Sequence, residues 1–328
     1  SSDLSRNLPI VYGGFTKQRE GHSFVLDGYD AEGLVHVNWG WNGDQNGYYD
    51  IAILDPIGYE FTQMQEAVIN IEPTPAISRI SGEVSVTKPG TLRSLLEEES
   101  FFHYEGLKVN GDINATDIRT IREMAGVDEN GGRTRGRLQK LDLSNTNILA
   151  GSDYYLIDKG NKLTIKADNT LPDKLFYGCS MEEISFPSAG IHNFGKGVWA
   201  YCNKLSHVSL TPAADANFKV DGNMVYNTDR TTLLAVTPLV REDINIPDGV
   251  KTIDDYALAG CSMVRKIAIG NDVKNIGREA FGYCWSMEEL KVRPKTIPQL
   301  GTDVFAAANT QTCKLTVRAG SKARYASL

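Results

Sequence analysis

Tyr256–Pro298 reads YALAGCSMVRKIAIGNDVKNIG followed directly by REAFGYCWSMEELKVRPKTIP. Both halves carry one unit: an apolar aromatic, Gly or Tyr, a cysteine, two or three polar residues and a short alternating strand. Cys261 and Cys284 are 23 residues apart. Upstream, LPDKLFYGCSMEEISFPS and VWAYCNKLSHVSLTP repeat the pattern, and Cys179 and Cys202 are again 23 residues apart. A unit this short cannot bury its own apolar face, and its period lies in the range of leucine-rich repeats. Residues 171–328 are therefore expected to stack into an elongated, curved solenoid with a continuous core. VFAAANTQTCKLTVRAGS reads as a degenerate last unit, with Asn309 at the cysteine position. FKVDGNMVYNTDRTTLLAVTP breaks the period, and an insertion is expected around residues 217–237, with a hairpin near Thr228 to Thr231.

The cysteines follow the repeat. Cys261 precedes Ile267 by six residues and Cys284 precedes Leu290 by six. That places each thiol in a turn before a strand, as a small buried hydrophobe and not a nucleophile. The chain has 5 cysteines, no CxxC pair, and none before Cys179. A thiolate metal cluster is not expected, and neither a metal nor a cofactor is implied.

Composition narrows the function classes. The 328 residues carry a formal charge of -7 and 41% hydrophobic residues. No nucleic-acid footprint is expected from that balance. Arg133, Arg135 and Arg137 form one basic knot, but Gly131, Gly132 and Gly136 lie among them, so it reads as a solvated loop. No apolar run approaches the roughly 18 residues of a membrane-spanning helix. The start, SSDLSRNLPIVYGG, lacks an initiating methionine and reads as a mature product or a fragment.

Residues 1–74 have a different grammar, dense in aromatics and glycines. HSFVLDGYD and LVHVNWGW are expected strands joined by a turn at Asp30 to Gly33, GYYDIAIL a further strand ended by Asp55-Pro56, and EAVINIEP a last one. IEPTPAI reads as an extended linker. Residues 75–170 form a capping region ahead of the repeats. There, KPGTLRSLLEEESF is expected to be a short helix with Leu92, Leu95 and Leu96 as its apolar stripe. ATDIRTIREMAG is expected to be helical, with Ile118, Ile121 and Met124 inward and Gly126 as the stop. LKVNGDI and LQKLDLSNTNI flank it as strands. Trp199, Tyr226 and Trp285 are either ligand anchors on the repeat surface or rings packed in turns.

His22 follows a glycine in GHSFVLDGYDAEGLVHVNWGWNG (Gly21–Gly43). Three roles are open to it: a satisfied core histidine, a metal ligand or a general base. The metal role is weak, because His36 is the only other histidine nearby and no HExxH-type spacing accompanies it. Ser23 cannot act with it, since neighbours in a strand point to opposite faces.

Two family resemblances follow from these motifs. AFGYC, MEEL and VKNIG resemble the leucine-rich repeats of Bacteroides-type bacterial surface proteins, over roughly residues 80–328. GHSFVLDGY, HVNWGWNG and GYYDIAILDP resemble the C-terminal half of a streptopain-type, papain-like cysteine peptidase, over about residues 7–72. The fold class implied is α+β: an antiparallel half-domain joined to an irregular leucine-rich repeat solenoid. The peptidase resemblance implies His22 as general base, Asn38 and Trp39 as the residues orienting it, and Gly21 and Trp41 as substrate-binding. It also exposes a departure, because the family draws its nucleophilic cysteine from an earlier helix and no cysteine precedes His22. The resemblances imply a secreted or cell-surface protein, inactive as a peptidase by itself, whose repeats bind proteins, peptides or glycans. They leave a second reading open: a non-enzymatic adhesin carrying a vestigial peptidase remnant. The missing peptidase half is a further implied partner.

Overall fold

The computed structural model describes residues 2–6, 8–69 and 80–325. The chain divides into two compact units, Ser1–Ile77 and Ser78–Leu328. The expected linker IEPTPAI and the end of EAVINIEP lie outside the described residues.

The first unit is one antiparallel sheet with a short helix α1 (Ser2–Ser5). Its strands are β1 (Ile10–Phe15), β2 (Gly21–Tyr29), β3 (Val35–Asn38), β4 (Gly47–Tyr49) and β5 (Gln63–Val68), in the order β4-β3-β2-β1-β5. The β2–β3 connection is the expected turn: the Asp30 carboxylate accepts from the Leu34 N–H at 2.8 Å and Gly33 takes a positive φ of 87°. Strand alternation buries Phe24 and Leu26 on one face of β2, with His22 in the same register and Ser23 on the other side. Those residues pack with Ile10, Val35, Val37, Leu54 and Phe61.

Three strand expectations need correction here. LVHVNWGW leaves the sheet at Asn38, because the Asn38 carboxamide accepts the Gly40 N–H at 3.0 Å and closes a turn. GYYDIAIL is strand only through Tyr49. The Asp50 carboxylate accepts the Ala52 N–H at 2.9 Å and offers the backbone a turn in place of the ladder. The last strand begins at Gln63, three residues ahead of the expected EAVINIEP.

The second unit opens with a parallel sheet of β6 (Ile80–Val86), β7 (Tyr104–Ile113) and β8 (Lys140–Ile148). Glu183–Ser185 and His207–Ser209, from the repeats, add parallel strands to the same sheet. Helix α2 (Leu92–Leu95) is only one turn long. Leu92 and Leu96 are buried but Leu95 is 46% exposed, so the expected three-residue stripe is a two-residue one. The chain then tightens into a 3-10 segment, Glu98–His103, which shifts the facing of successive residues. Helix α3 (Ala115–Met124) buries Ile118, Ile121 and Met124, and Gly126 follows it at a φ of 93°. Its N-terminus is closed by a capping box in which Asn114 and Asp117 exchange side-chain and backbone bonds. Asp117 also accepts from the Gly90 and Leu92 N–H groups, tying the two helices together.

The repeats climb in steps of 23. Ile244 pairs with Ile267, Lys266 with Glu289, Thr252 with Asn275, and Thr170 with Asn193, all in parallel. Side chains ladder at the same interval: Asp255 Oδ1 accepts the Arg278 N–H, Asp248 holds Asn271, and Arg265 makes two bonds to Glu288. Each later repeat thus places one strand in each of two parallel arrays. The insertion is a three-stranded antiparallel meander, Phe218–Asp221, Met224–Asn227 and Thr232–Val236. Its last strand pairs in parallel with Thr252–Ile253, so the meander is built into the stack.

Cys179, Cys202, Cys261 and Cys284 are all buried. Cys202 Sγ donates to the Phe176 carbonyl at 2.9 Å and Cys284 Sγ to the Leu258 carbonyl at 3.5 Å. Burial pushes the Cys202 and Cys261 thiols well up and Cys284 to about 12, so each stays a neutral thiol at neutral pH. Asn309 keeps the same turn in the last unit, its Nδ2 donating to the Met287 carbonyl at 3.0 Å. Of the three candidate anchor rings, Trp199 and Tyr226 are buried, and Trp199 Nε1 donates to the Val236 carbonyl. Trp285 is 51% exposed.

Candidate functional site

His22 stands on β2 beside the β3–β4 loop. Strand β2 aims its imidazole to the same face as buried Phe24, while the ring itself is only half-buried. Its Nε2 lies 2.8 Å from the Trp39 carbonyl oxygen. A carbonyl only accepts, so this contact puts the proton on Nε2 and leaves the lone pair of a neutral ring on Nδ1. Nδ1 has no hydrogen-bond partner among the described residues. Aromatic rings fix the imidazole plane: Trp41 stacks on it at 4.9 Å and 26°, and Phe61 lies at 5.7 Å.

The peptide that holds His22 is itself held. The carbonyl of the Trp39–Gly40 peptide faces His22, and the N–H of the same peptide donates to the Asn38 carboxamide. One residue earlier, the Trp39 N–H donates to Asn46 Oδ1 at 3.0 Å. The Trp39 indole is fully buried between Phe24, Trp41 and Tyr49. Its Nε1–H has no acceptor among the described residues, a cost of about 1–3 kcal/mol that the packing of the ring offsets.

The sequence-derived residues thus separate. Trp39 and Trp41 touch His22 directly, one by its carbonyl and the other by its ring face. Asn38 does not reach the imidazole; it bonds the far side of the peptide that does. Gly21 pairs with Phe15 across β1–β2, and a Cβ there would lie 2.6 Å from the Phe15 ring, so packing in the sheet already requires glycine. The loop from Asp44 to Gly47 is legible from sequence as a surface loop near the site, but the bond of Asn46 to the Trp39 N–H is not, and Phe61 arrives from a separate segment that only the fold brings in. His36 is turned away and pairs with Asp27 at 2.5 Å on the exposed face. No group of three or more His, Cys, Asp or Glu side chains suited to a metal exists among the described residues.

With this geometry in hand, comparison with known proteins divides the chain in the same way. The profile of the BspA type leucine rich repeat region matches residues 139–233 and 240–321 in six copies, more than half of the chain, and the chain belongs to that family. The profile of the Peptidase C10 family matches residues 1–49. Streptopain of Streptococcus pyogenes is 38% identical over 78 residues, covering 22% of this chain and 19% of that protein. The interpain A cysteine protease of Prevotella intermedia is 48% identical over 20% of this chain and 29% of that one, with a TM-score of 0.19. A leucine-rich repeat protein from Eubacterium ventriosum is 16% identical over 73% of this chain and 66% of that one, with a TM-score of 0.44. The chain spans about a fifth of the length of the curated streptopain relatives it matches. It combines a region homologous to a papain-like C10 peptidase domain with a separate leucine-rich repeat domain. No helix among the described residues is long and apolar enough to cross a membrane.

Proposed function

We propose that residues 1–74 are the base-bearing half of an extracellular cysteine peptidase site and that the repeats are the binding part of the same protein. The observation that carries this reading is the 2.8 Å contact of His22 Nε2 with the Trp39 carbonyl, which leaves Nδ1 basic and open. A cysteine thiol placed against Nδ1 by a segment outside this chain gives up its proton to the imidazole. The thiolate attacks the scissile carbonyl carbon, and the tetrahedral intermediate collapses to a thioester as His22 protonates the leaving amine. Water, deprotonated by His22, then releases the acid and regenerates the thiol. Trp39, acting through its carbonyl, and Asn38, acting through the peptide it holds, are positioning residues. Trp41, stacked on the imidazole, and Gly21, one residue before His22, are on this reading the substrate-binding residues.

The nucleophile is not drawn from the repeats. Four of the five cysteines are buried with raised thiol pKa values, and Cys313 is raised as well. The exposed apolar surface of the first unit also supports a missing partner half. Ten of the 17 large apolar side chains left exposed among the described residues lie in its 67 described residues, Ile57, Met64 and Val68 among them.

The test uses two proteins: this chain, and a polypeptide extended upstream through the nearest cysteine-bearing helix in its reading frame. The reading expects thiol-dependent peptide hydrolysis from the extended protein, abolished by His22→Ala, and no labelling of this chain by a thiol-directed peptide epoxide. An extended protein that is folded but does not cleave peptides would overturn the peptidase reading and leave the first unit as a non-catalytic remnant on an adhesin.

A further inference from the structure

The second unit contains a cavity of about 500 Å³ that the peptidase reading does not use. It is walled by Tyr177, Tyr201, Tyr256 and Tyr283, drawn from successive repeats. Their rings meet edge to face at 4.9 to 5.8 Å. Tyr283 continues to Trp285, at 5.2 Å and half-exposed on the surface.

The charges around this wall are unequal. Five cations line the cavity, Arg122, Arg133, Lys159, Lys174 and Arg278, against two carboxylates, Asp158 and Glu279. The local balance of +3 lies in a protein whose formal charge is -7. The two carboxylates are already engaged. Asp158 pairs with Lys174 at 2.8 Å and Glu279 with Arg278 at 2.9 Å. The surplus therefore belongs to the other three cations.

Arg122 is fully buried beneath the cavity. Its guanidinium donates to the carbonyls of Lys174, Leu175 and Tyr177, its Nε has no partner, and no carboxylate pairs with it among the described residues. A buried charge without a counter-charge is costly, and an anion placed above it recovers part of that cost. Arg133 and Lys159 stand exposed at the rim without ion pairs among the described residues, and Arg133 makes only a 3.3 Å bond to the Gly178 carbonyl. Arg133, exposed in the solvated loop expected from sequence, also stands at the rim of this cationic cavity.

We infer that this cavity binds a carboxylated sugar, its acid group set over Arg122 between Arg133 and Lys159 and its ring against Tyr283. Its volume suits one to a few sugar rings, within the usual range of ligand pockets, roughly 300–1,000 Å³. Aromatic rings offer the apolar face that a sugar's C–H groups cover, and paired Asp158 and Glu279 remain as acceptors for hydroxyls. An acidic peptide satisfies the cations but makes less of the tyrosine wall. The inference rests on the reading of the repeats as the binding part of the protein and names the site and ligand class within it.

Calorimetric titration of residues 1–328 with sialyllactose, trigalacturonic acid, lactose and hexaglutamate tests it. At least one acidic sugar should bind about ten-fold more tightly than lactose or hexaglutamate, the difference expected of one charge-assisted contact. Sialyllactose as the tighter ligand points to animal glycoconjugates, and trigalacturonic acid to uronic-acid polysaccharides. Arg133→Glu and Lys159→Glu should each weaken that binding about ten-fold, and Tyr283→Ala about five-fold, with unchanged circular dichroism. Absence of acidic-sugar binding overturns the inference, as does hexaglutamate binding at equal strength. Acidic-sugar binding that all three variants leave unchanged also overturns it, while the repeats stand as a binding domain with its site elsewhere.

Discussion

The two units bury their apolar residues by different means. In the repeats, each apolar face is covered by the next copy, so Ile244, Ile267 and Leu290 are all buried in parallel register. In the first unit the covered face of the sheet surrounds Trp39, while Tyr29, Tyr48, Ile53, Ile57 and Met64 stay exposed. A solenoid can be cut at a repeat boundary and still bury most of its core, because stability is summed over neighbours. A mixed enzyme domain cannot, because its two halves share one core and one site. The unit with the larger share of exposed apolar side chains is also the unit for which a thiol from another segment is proposed.

The largest expected effect probes the shared site. In a polypeptide extended upstream through a cysteine-bearing helix, as the proposed function requires, His22→Ala should lower kcat/KM for a peptide substrate by about 10⁴-fold or more. Denaturant unfolding of the repeats should not move. Activity surviving the change would remove His22 from the site and dissolve the contrast between the units.

Next comes the core of the repeats. Phe281 is fully buried and stacks on Phe305 at 5.4 Å. Phe281→Ala should cost about 3–5 kcal/mol, read as a lower urea midpoint for the second unit. The His22 imidazole resonances should stay in place in the same sample. If they move, the two units are not energetically separate.

Asn46→Ala is subtler. It leaves the Trp39 N–H without its acceptor, at a cost of about 1 kcal/mol. The measurable consequence is a shift in the nitrogen resonances of His22 and about ten-fold lower activity in the extended protein, with Asn46→Asp restoring part of both. Unchanged His22 resonances would show that the indole packing alone sets the loop. Leu95→Ala should do least. The side chain is half-exposed, so the change should stay within about 0.5 kcal/mol by thermal unfolding. A large loss there would restore the three-leucine stripe that the 3-10 turn breaks.

Much of the fold was legible because it is periodic. The 23-residue spacing of the cysteines gave the repeat, and parallel pairing at the same interval realises it. Ile118, Ile121 and Met124 gave the inward face of α3, since 3.6-residue periodicity leaves little choice. The misreadings cluster where one side chain redirects the backbone. Asn38 and Asp50 each close a turn with their own side chains, so strands that continue in hydrophobic pattern stop in space. Leu95 follows the helical pattern, but the helix ends beneath it.

The site divides along the same line. His22, Trp39 and Trp41 lie in one short stretch of sequence, and the strand-turn-strand that joins them is local. The sequence by itself therefore determined that Trp39 and Trp41 lie near the imidazole, while Phe61 reaches it only through the fold. It could not show that the Trp39 carbonyl, and not the Asn38 carboxamide, meets Nε2. That choice depends on the orientation of the Trp39–Gly40 peptide plane, which Asn38 holds by its N–H while Asn46 holds the peptide before it. Nor did it show that Arg122, Arg133 and Lys159 surround one tyrosine-lined cavity. Those residues come from separate segments, and their proximity exists only once the repeats are stacked.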